Sequence, residues 1–194
     1  MPAEANRSQP RAARRDAVAN REKILRTAAG LMARRGHKVP LTEIADAAGV
    51  GVGTFYRGFP DREALLDELQ RRGYEVCLGI LAQIRSDGLT GADAIDAYLK
   101  RCQDVSDELV ALPLRGGDPL PDDEAVNAKH RVVEEIEAFL TEGKADGSVR
   151  TDVTAMDVVV CGSMIATPLP HSPDWPATSQ RHIKIFLRGI RTCP

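Results

Sequence analysis

LTEIADAAGVGVGTFYRGFPDREALL, residues 41–66, decides how the rest of the chain is read. Ile44, Ala45 and Ala48 place apolar or small groups on one face of a short helix. Gly49 follows where that helix must end and the chain must turn, a position that favours the left-handed backbone open to glycine. Val50 and Val52 flank the turn and are expected to plug the space between helices. Phe55 and Phe59, at i and i+4, give a second helix, about residues 52–58, its buried side. Thr54, Tyr56 and Arg57 are then left facing outward. Hydroxyl, phenol and guanidinium groups on one face suit phosphates and the edges of bases. Ala45 and Gly49 supply the small residues that two steeply crossed helices need at closest approach.

This is a helix-turn-helix pattern, in which the second helix enters the major groove. An ordinary helical hairpin also accounts for an alanine followed four positions on by a glycine. The full string is more specific. GVGVGTFYRGFPDREALL (residues 49–66) resembles the DNA-binding domain of the TetR family of bacterial transcriptional regulators, with the likeness running from about Arg21 to Leu69. The resemblance implies an all-α chain, with a three-helix DNA-binding head and a larger helical body for ligand binding and dimerisation. It also implies a phosphate contact from Tyr56. Gly58 departs from the family pattern, where an aromatic or imidazole group is common. Its loss removes a phosphate contact and is expected to loosen the end of the recognition helix. Pro40 replaces a capping hydroxyl, so Thr42 is read as a phosphate contact rather than as a cap.

Charge supports a division of labour. The net charge of −2 hides +6 over residues 1–60 and −8 over residues 61–194. A basic head on an acidic body fits a DNA-binding module followed by a non-binding remainder. Residues 1–15 lack apolar periodicity and are expected to be a disordered basic arm, with Arg14 and Arg15 either reaching DNA or serving a solubilising tail. The head is expected over residues 16–62. Ile24, Ala28, Leu31 and Met32 give it a first helix that ends near Arg34, Arg35 and Gly36. Within the recognition helix, Gly53 and Thr54 bring backbone N–H groups to phosphate, and Arg57 is the candidate for guanine readout. Arg62 is placed for a backbone phosphate.

The body is expected over residues 63–194. Asp61 caps a long helix carrying Leu65, Leu69, Val76, Ile80 and Ile84. Ile95 to Val105 is a further helix, PLRGGDPLPDD (113–123) a loop, and Glu124 to Lys144 a helix centred on Val132, Ile136 and Phe139. Thr154 and Asp157 form a capping box that opens an almost wholly apolar helix from Val158 to Ala166. TPLPHSPDWP (167–176) holds four prolines and cannot be regular helix. The last helix carries Ile183, Phe186, Leu187 and Ile190 as a clean stripe. The resemblance implies that the last two helices form a four-helix bundle with a second subunit. Val159, Ile183, Phe186, Leu187 and Ile190 are the candidate dimer residues, although the same stripe would also complete a monomer core. A small-molecule pocket in the body is implied by the resemblance alone. Tyr98, Cys102, His130, Phe139, Met164 and Trp175 are the candidates for it, and each also reads as plain core or surface.

Other functions find no support. GxSxG, HExxH and paired Cys/His spacings are missing, and the glycines at 49, 51 and 53 are neither followed by GK[ST] nor preceded by a strand. Cys77, Cys102, Cys161 and Cys193 lie far apart and read as reduced thiols without a metal. No cofactor, signal peptide or membrane span is expected, and the chain reads as cytoplasmic. The leading reading is a dimeric repressor on a palindromic operator, released by a small molecule. The alternative is an architectural or partner-regulated DNA-binding protein with no small ligand.

Overall fold

A computed structural model of the chain describes residues 9–36, 38–114, 122–167 and 174–192. They form α1 (Gln9–Arg35), α2 (Leu41–Ala47), α3 (Val52–Gly58), α4 (Arg62–Ser86), α5 (Gly91–Asp104), α6 (Ser106–Leu109), α7 (Ala111–Leu114), α8 (Asp123–Ala145), α9 (Ala155–Ile165) and α10 (Trp175–Ile190). The fold is all-α. Among the described residues no strand forms, and Val149 and Arg191 make one isolated antiparallel bridge.

Two cores organise these helices. The first gathers Ile24, Ala28 and Met32 of α1, Ile44 and Ala45 of α2, Phe55 and Phe59, and Leu65, Leu66 and Leu69 of α4. The second joins Cys77, Leu81 and Ile84 of α4 to α5, α8, α9 and α10. The cores therefore meet inside α4, and its first two turns belong to the head, past the boundary expected at residue 62. Val110 and Ala111, from the body side of the sequence, also pack into the head core.

Local chemistry explains most boundaries. α1 begins at Gln9, so residues 9–15 are helical rather than a loose arm, and residues 1–8 lie outside the described residues. Alanine and arginine favour this helix, and Pro10 falls in the first turn, where its missing N–H costs little. Gly49 takes φ +61. Its N–H donates to the Asp46 carbonyl at 2.9 Å, and the Val50 N–H to that of Ala45 at 3.1 Å, closing α2 in a Schellman turn. Asp61 caps α4 by accepting the Ala64 N–H at 2.8 Å, and Asp122 caps α8 through Ala125 at 2.8 Å. The Asp157 carboxylate accepts the Thr154 N–H at 2.8 Å in the capping box of α9.

α4, α5 and α8 form the centre of the body. At Gly91 and Gly143 the α5 and α8 backbones come so close that a Cβ on Gly143 would stand 2.9 Å from the Gly91 Cα. α10 packs its stripe inward: Ile183, Leu187 and Ile190 are buried in their own subunit's core, and Val159 and Phe186 are half-buried against it. Ile183, Leu187 and Ile190 are thus covered within their own subunit, and Val159 and Phe186 are covered in part. Among the described residues of the body, the large apolar side chains left outside are Met156, Val160 and Met164 of α9 and Ile185 of α10, each more than half exposed. The first three are spaced i, i+4, i+8 and so run in one line along α9.

Candidate nucleic-acid interface

The recognition surface is built outward from two phenylalanines. Phe55 and Phe59 are buried, with ring centres 6.0 Å apart. They seat α3 in the head core with residues of α1, α2 and α4. Tyr56 meets Phe55 edge-on at 5.7 Å and stays 41% exposed. Gly53, Thr54 and Arg57 are exposed on the same helix, as is Thr42 on α2. Thr42 does not cap α2, whose N-cap is Pro40 with no side-chain bond. The Thr54 N–H donates to the Gly51 carbonyl at 2.9 Å, so that amide is engaged inside the helix. Its hydroxyl is the group left for an outside contact.

Val52 does not plug the turn. It is 44% exposed at the start of α3, and Val50 is the valine that packs against the head core. A Cβ added at Gly51, Gly53 or Gly58 would meet nothing within 4 Å. The surface is therefore low in relief, which lets a groove wall approach the backbone closely.

Arg21 was not legible as part of this region, because its partners lie 37 or more residues away. Its Nη1 donates to the Gly58 carbonyl at 3.1 Å. Its Nη2 stands 3.1 Å from the Glu68 carboxylate, and its guanidinium carbon lies 4.4 Å above the centre of the Phe59 ring. The end of the recognition helix, expected to be loose, is latched to α1 and α4 by this one side chain. Arg62 also has an intramolecular partner: Nη2 donates to the Val39 carbonyl at 2.7 Å and so holds the strand of chain leading into α2. Arg35 pairs with Glu43, tying α1 to α2. Arg15, Lys23, Arg26, Lys38 and Arg57 are exposed cations on this head. The side chain of Arg14 lies outside the described residues.

Three of the six candidate pocket residues come together. Tyr98, Cys102 and Phe139 are buried together in the body core. Burial pushes the Tyr98 phenol well above its ordinary range, and the neighbouring Cys77 thiol together with burial does the same for Cys102. His130 and Met164 are instead exposed, on α8 and α9. The Trp175 indole is half-buried and donates to the Ile165 carbonyl at 3.1 Å. Cys161 is half-buried, with its thiol raised to about 11 by burial, and Cys193 lies outside the described residues. Among the described residues no three His, Cys, Asp or Glu side chains gather as a metal site. Nor, among them, is any helix long and apolar enough to cross a membrane.

Comparison with known proteins agrees with this geometry. The family described as bacterial regulatory proteins, tetR family, matches residues 24–69, and the SbtR-like transcriptional regulator C-terminal domain matches residues 92–192. The HTH-type transcriptional repressor KstR2 of Rhodococcus jostii (strain RHA1) is 29% identical over 152 residues, covering 69% of each chain. The TetR transcriptional regulator SCO0520 of Streptomyces coelicolor superposes with a TM-score of 0.62 at 28% identity, over 90% of this chain and 99% of its own. AibR, whose structure holds isovaleryl coenzyme A and operator DNA, shares the fold at 18% identity, with a TM-score of 0.68 over 88% of this chain and 97% of its own. The matched families and relatives are transcriptional regulators, not enzymes. With one matched region spanning more than half its length and the other covering the helix-turn-helix, this chain belongs to the TetR family of bacterial transcriptional regulators.

Proposed function

We propose that this regulator works in the cytoplasm as a homodimeric repressor, binding a palindromic operator through α3 and leaving it when a small molecule enters the body. The carrying observation is α3 itself. Phe55 and Phe59 hold it by one face, while Thr54, Tyr56 and Arg57 stand on the other, within a head of net positive charge. Thr42, Thr54 and Tyr56 serve as phosphate contacts, and Arg57 reads a guanine through O6 and N7. Arg14 and Arg15, in the first turns of α1, extend the contact along the backbone. Arg62 supports α2 through Val39 and takes phosphate only as a secondary partner.

The exposed line of Met156, Val160 and Met164, with Ile185, is the surface for a second subunit. Two heads on one face then span half-sites about one helical turn apart. The release step has a physical route. Val110 and Ala111 reach into the head core, and Arg72 of α4 pairs with Glu22 of α1 at 2.5 Å and with Glu108 of α6 at 3.2 Å. Whatever moves α6 against α4 moves the head. AibR supplies a precedent for a small effector on this fold.

The test is selection of bound duplexes from a random DNA pool, repeated with Arg57→Ala. Enrichment of a palindrome by the wild type is expected. Arg57→Ala should relax choice at one base pair per half-site, by about 1–3 kcal/mol. Equal weakening on all sequences would reject base readout by Arg57.

A further inference from the structure

In the first turn of α3, Val52 is the exposed apolar side chain, beside the exposed hydroxyl of Thr54 and the buried ring of Phe55. Gly51 and Gly53 flank Val52, and a Cβ at either glycine would stand in open space. Val52 is 44% exposed, on the same side as Tyr56 one turn later. A single exposed valine is ordinary on a protein surface. Its placement here is not, because every other outward group of the helix is polar or absent and the surrounding head is basic.

We propose that Val52 is a specificity-determining residue that reads the C5-methyl group of one thymine in each operator half-site. The assignment rests on the reading of α3 as the helix that enters the major groove. Base pairs offer one apolar group in that groove, the thymine methyl. Valine methyls laid against it remove hydrocarbon from water on both sides. Against any other base edge the same methyls would shield a donor or acceptor without bonding it, which is unfavourable. Val52 therefore selects for thymine and against the alternatives at one position. The bare positions on either side, Gly51 and Gly53, leave that valine room to descend to the base edge.

The experiment uses the enriched operator from the selection above. Each thymine of the half-site is replaced in turn by deoxyuracil, which removes only the methyl. Dissociation constants are measured for the full-length wild type, Val52→Ala and Val52→Thr. One position is expected to weaken wild-type binding about fourfold per half-site, the worth of one buried methyl. At that position the penalty should fall below about twofold in Val52→Ala. Val52→Thr keeps the shape and replaces one methyl with a hydroxyl, so it should fall between the two. A wild type indifferent to uracil at every position, or a penalty unchanged in Val52→Ala, overturns the assignment while leaving DNA binding intact. A wild type that enriches no sequence overturns the groove-facing reading of α3, and the Val52 assignment falls with it.

Discussion

Arg21→Gln tests whether the recognition helix is held in place by a side chain that never touches DNA. Arg21 makes three contacts with the end of α3 and its surroundings: the Gly58 carbonyl at 3.1 Å, the Glu68 carboxylate at 3.1 Å and the Phe59 ring at 4.4 Å. Its side chain is 40% exposed, so each contact is worth the lower end of its range. The ion pair contributes about 0.5 kcal/mol and the ring contact about 0.5 kcal/mol. The charge-assisted hydrogen bond adds about 1 kcal/mol. Removing all three leaves Phe55, Phe59 and the backbone bond from the Phe59 N–H to the Phe55 carbonyl to hold the C-terminal end of α3. If about 1.4 kcal/mol of the total is lost in each head as misorientation, a two-headed operator complex weakens about 100-fold. The assay is operator binding by fluorescence anisotropy across a range of salt concentrations. The slope of log K against log salt should match that of the wild type, since no phosphate contact has gone. Arg21→Lys should sit near the glutamine variant, because a single ammonium nitrogen cannot span the carbonyl and the carboxylate as two separate guanidinium nitrogens do while lying over the Phe59 ring. A slope reduced by about one charge per head, or an affinity left intact by Arg21→Gln, would refute the latch.

Three further outcomes follow from the body. Val160→Glu should yield a folded monomer in sedimentation equilibrium, whereas Leu187→Ala should cost about 2–4 kcal/mol in denaturant unfolding through the cavity it leaves; dissociation without destabilisation by Leu187→Ala would return the α10 stripe to the interface. Gly143→Ala forces a Cβ to within 2.5 Å of Val149 Cγ2 and 2.9 Å of the Gly91 Cα, so thermal unfolding should show a loss of about 1–3 kcal/mol. The Asp122 carboxylate is held below its ordinary range by the Ala125 N–H and then by Arg71. Its folded pKa is depressed, so its stabilisation is present above about pH 4, the unfolded value, and disappears as pH falls through the folded one. Asp122→Asn keeps the cap and should flatten the acid limb of the stability curve in that window.

The head was readable from sequence because its information is local. Phe55 and Phe59 are one turn apart, and Gly49 needs only its own neighbours to declare a left-handed turn. Arg21 was opaque for the opposite reason. Among the basic residues of the head it counted as one more charge, and nothing near it in sequence names Gly58, Glu68 or Phe59 as its partners. Val110 and Ala111 were hidden in the same way, as two small apolar residues whose destination is the other core.

The C-terminal helices carry a different lesson about periodicity. The stripe of Ile183, Leu187 and Ile190 says that one face of α10 is buried, and it is. It does not say whether the cover comes from the same subunit or another, because the two burials look alike in a repeat of i and i+4. What distinguishes them is surplus. α9 has apolar residues on more faces than its own body can cover, with Val158 and Ile165 buried and Met156, Val160 and Met164 left outside. An amphipathic helix closes a core, whereas a helix that is apolar on opposite faces needs a second surface. For this chain, then, the partner's position is better sought in the near-continuous apolar run of α9 than in the cleaner pattern of α10. The two readings separate in the Val160→Glu and Leu187→Ala pair, since only the surface residue can abolish association while leaving the subunit folded.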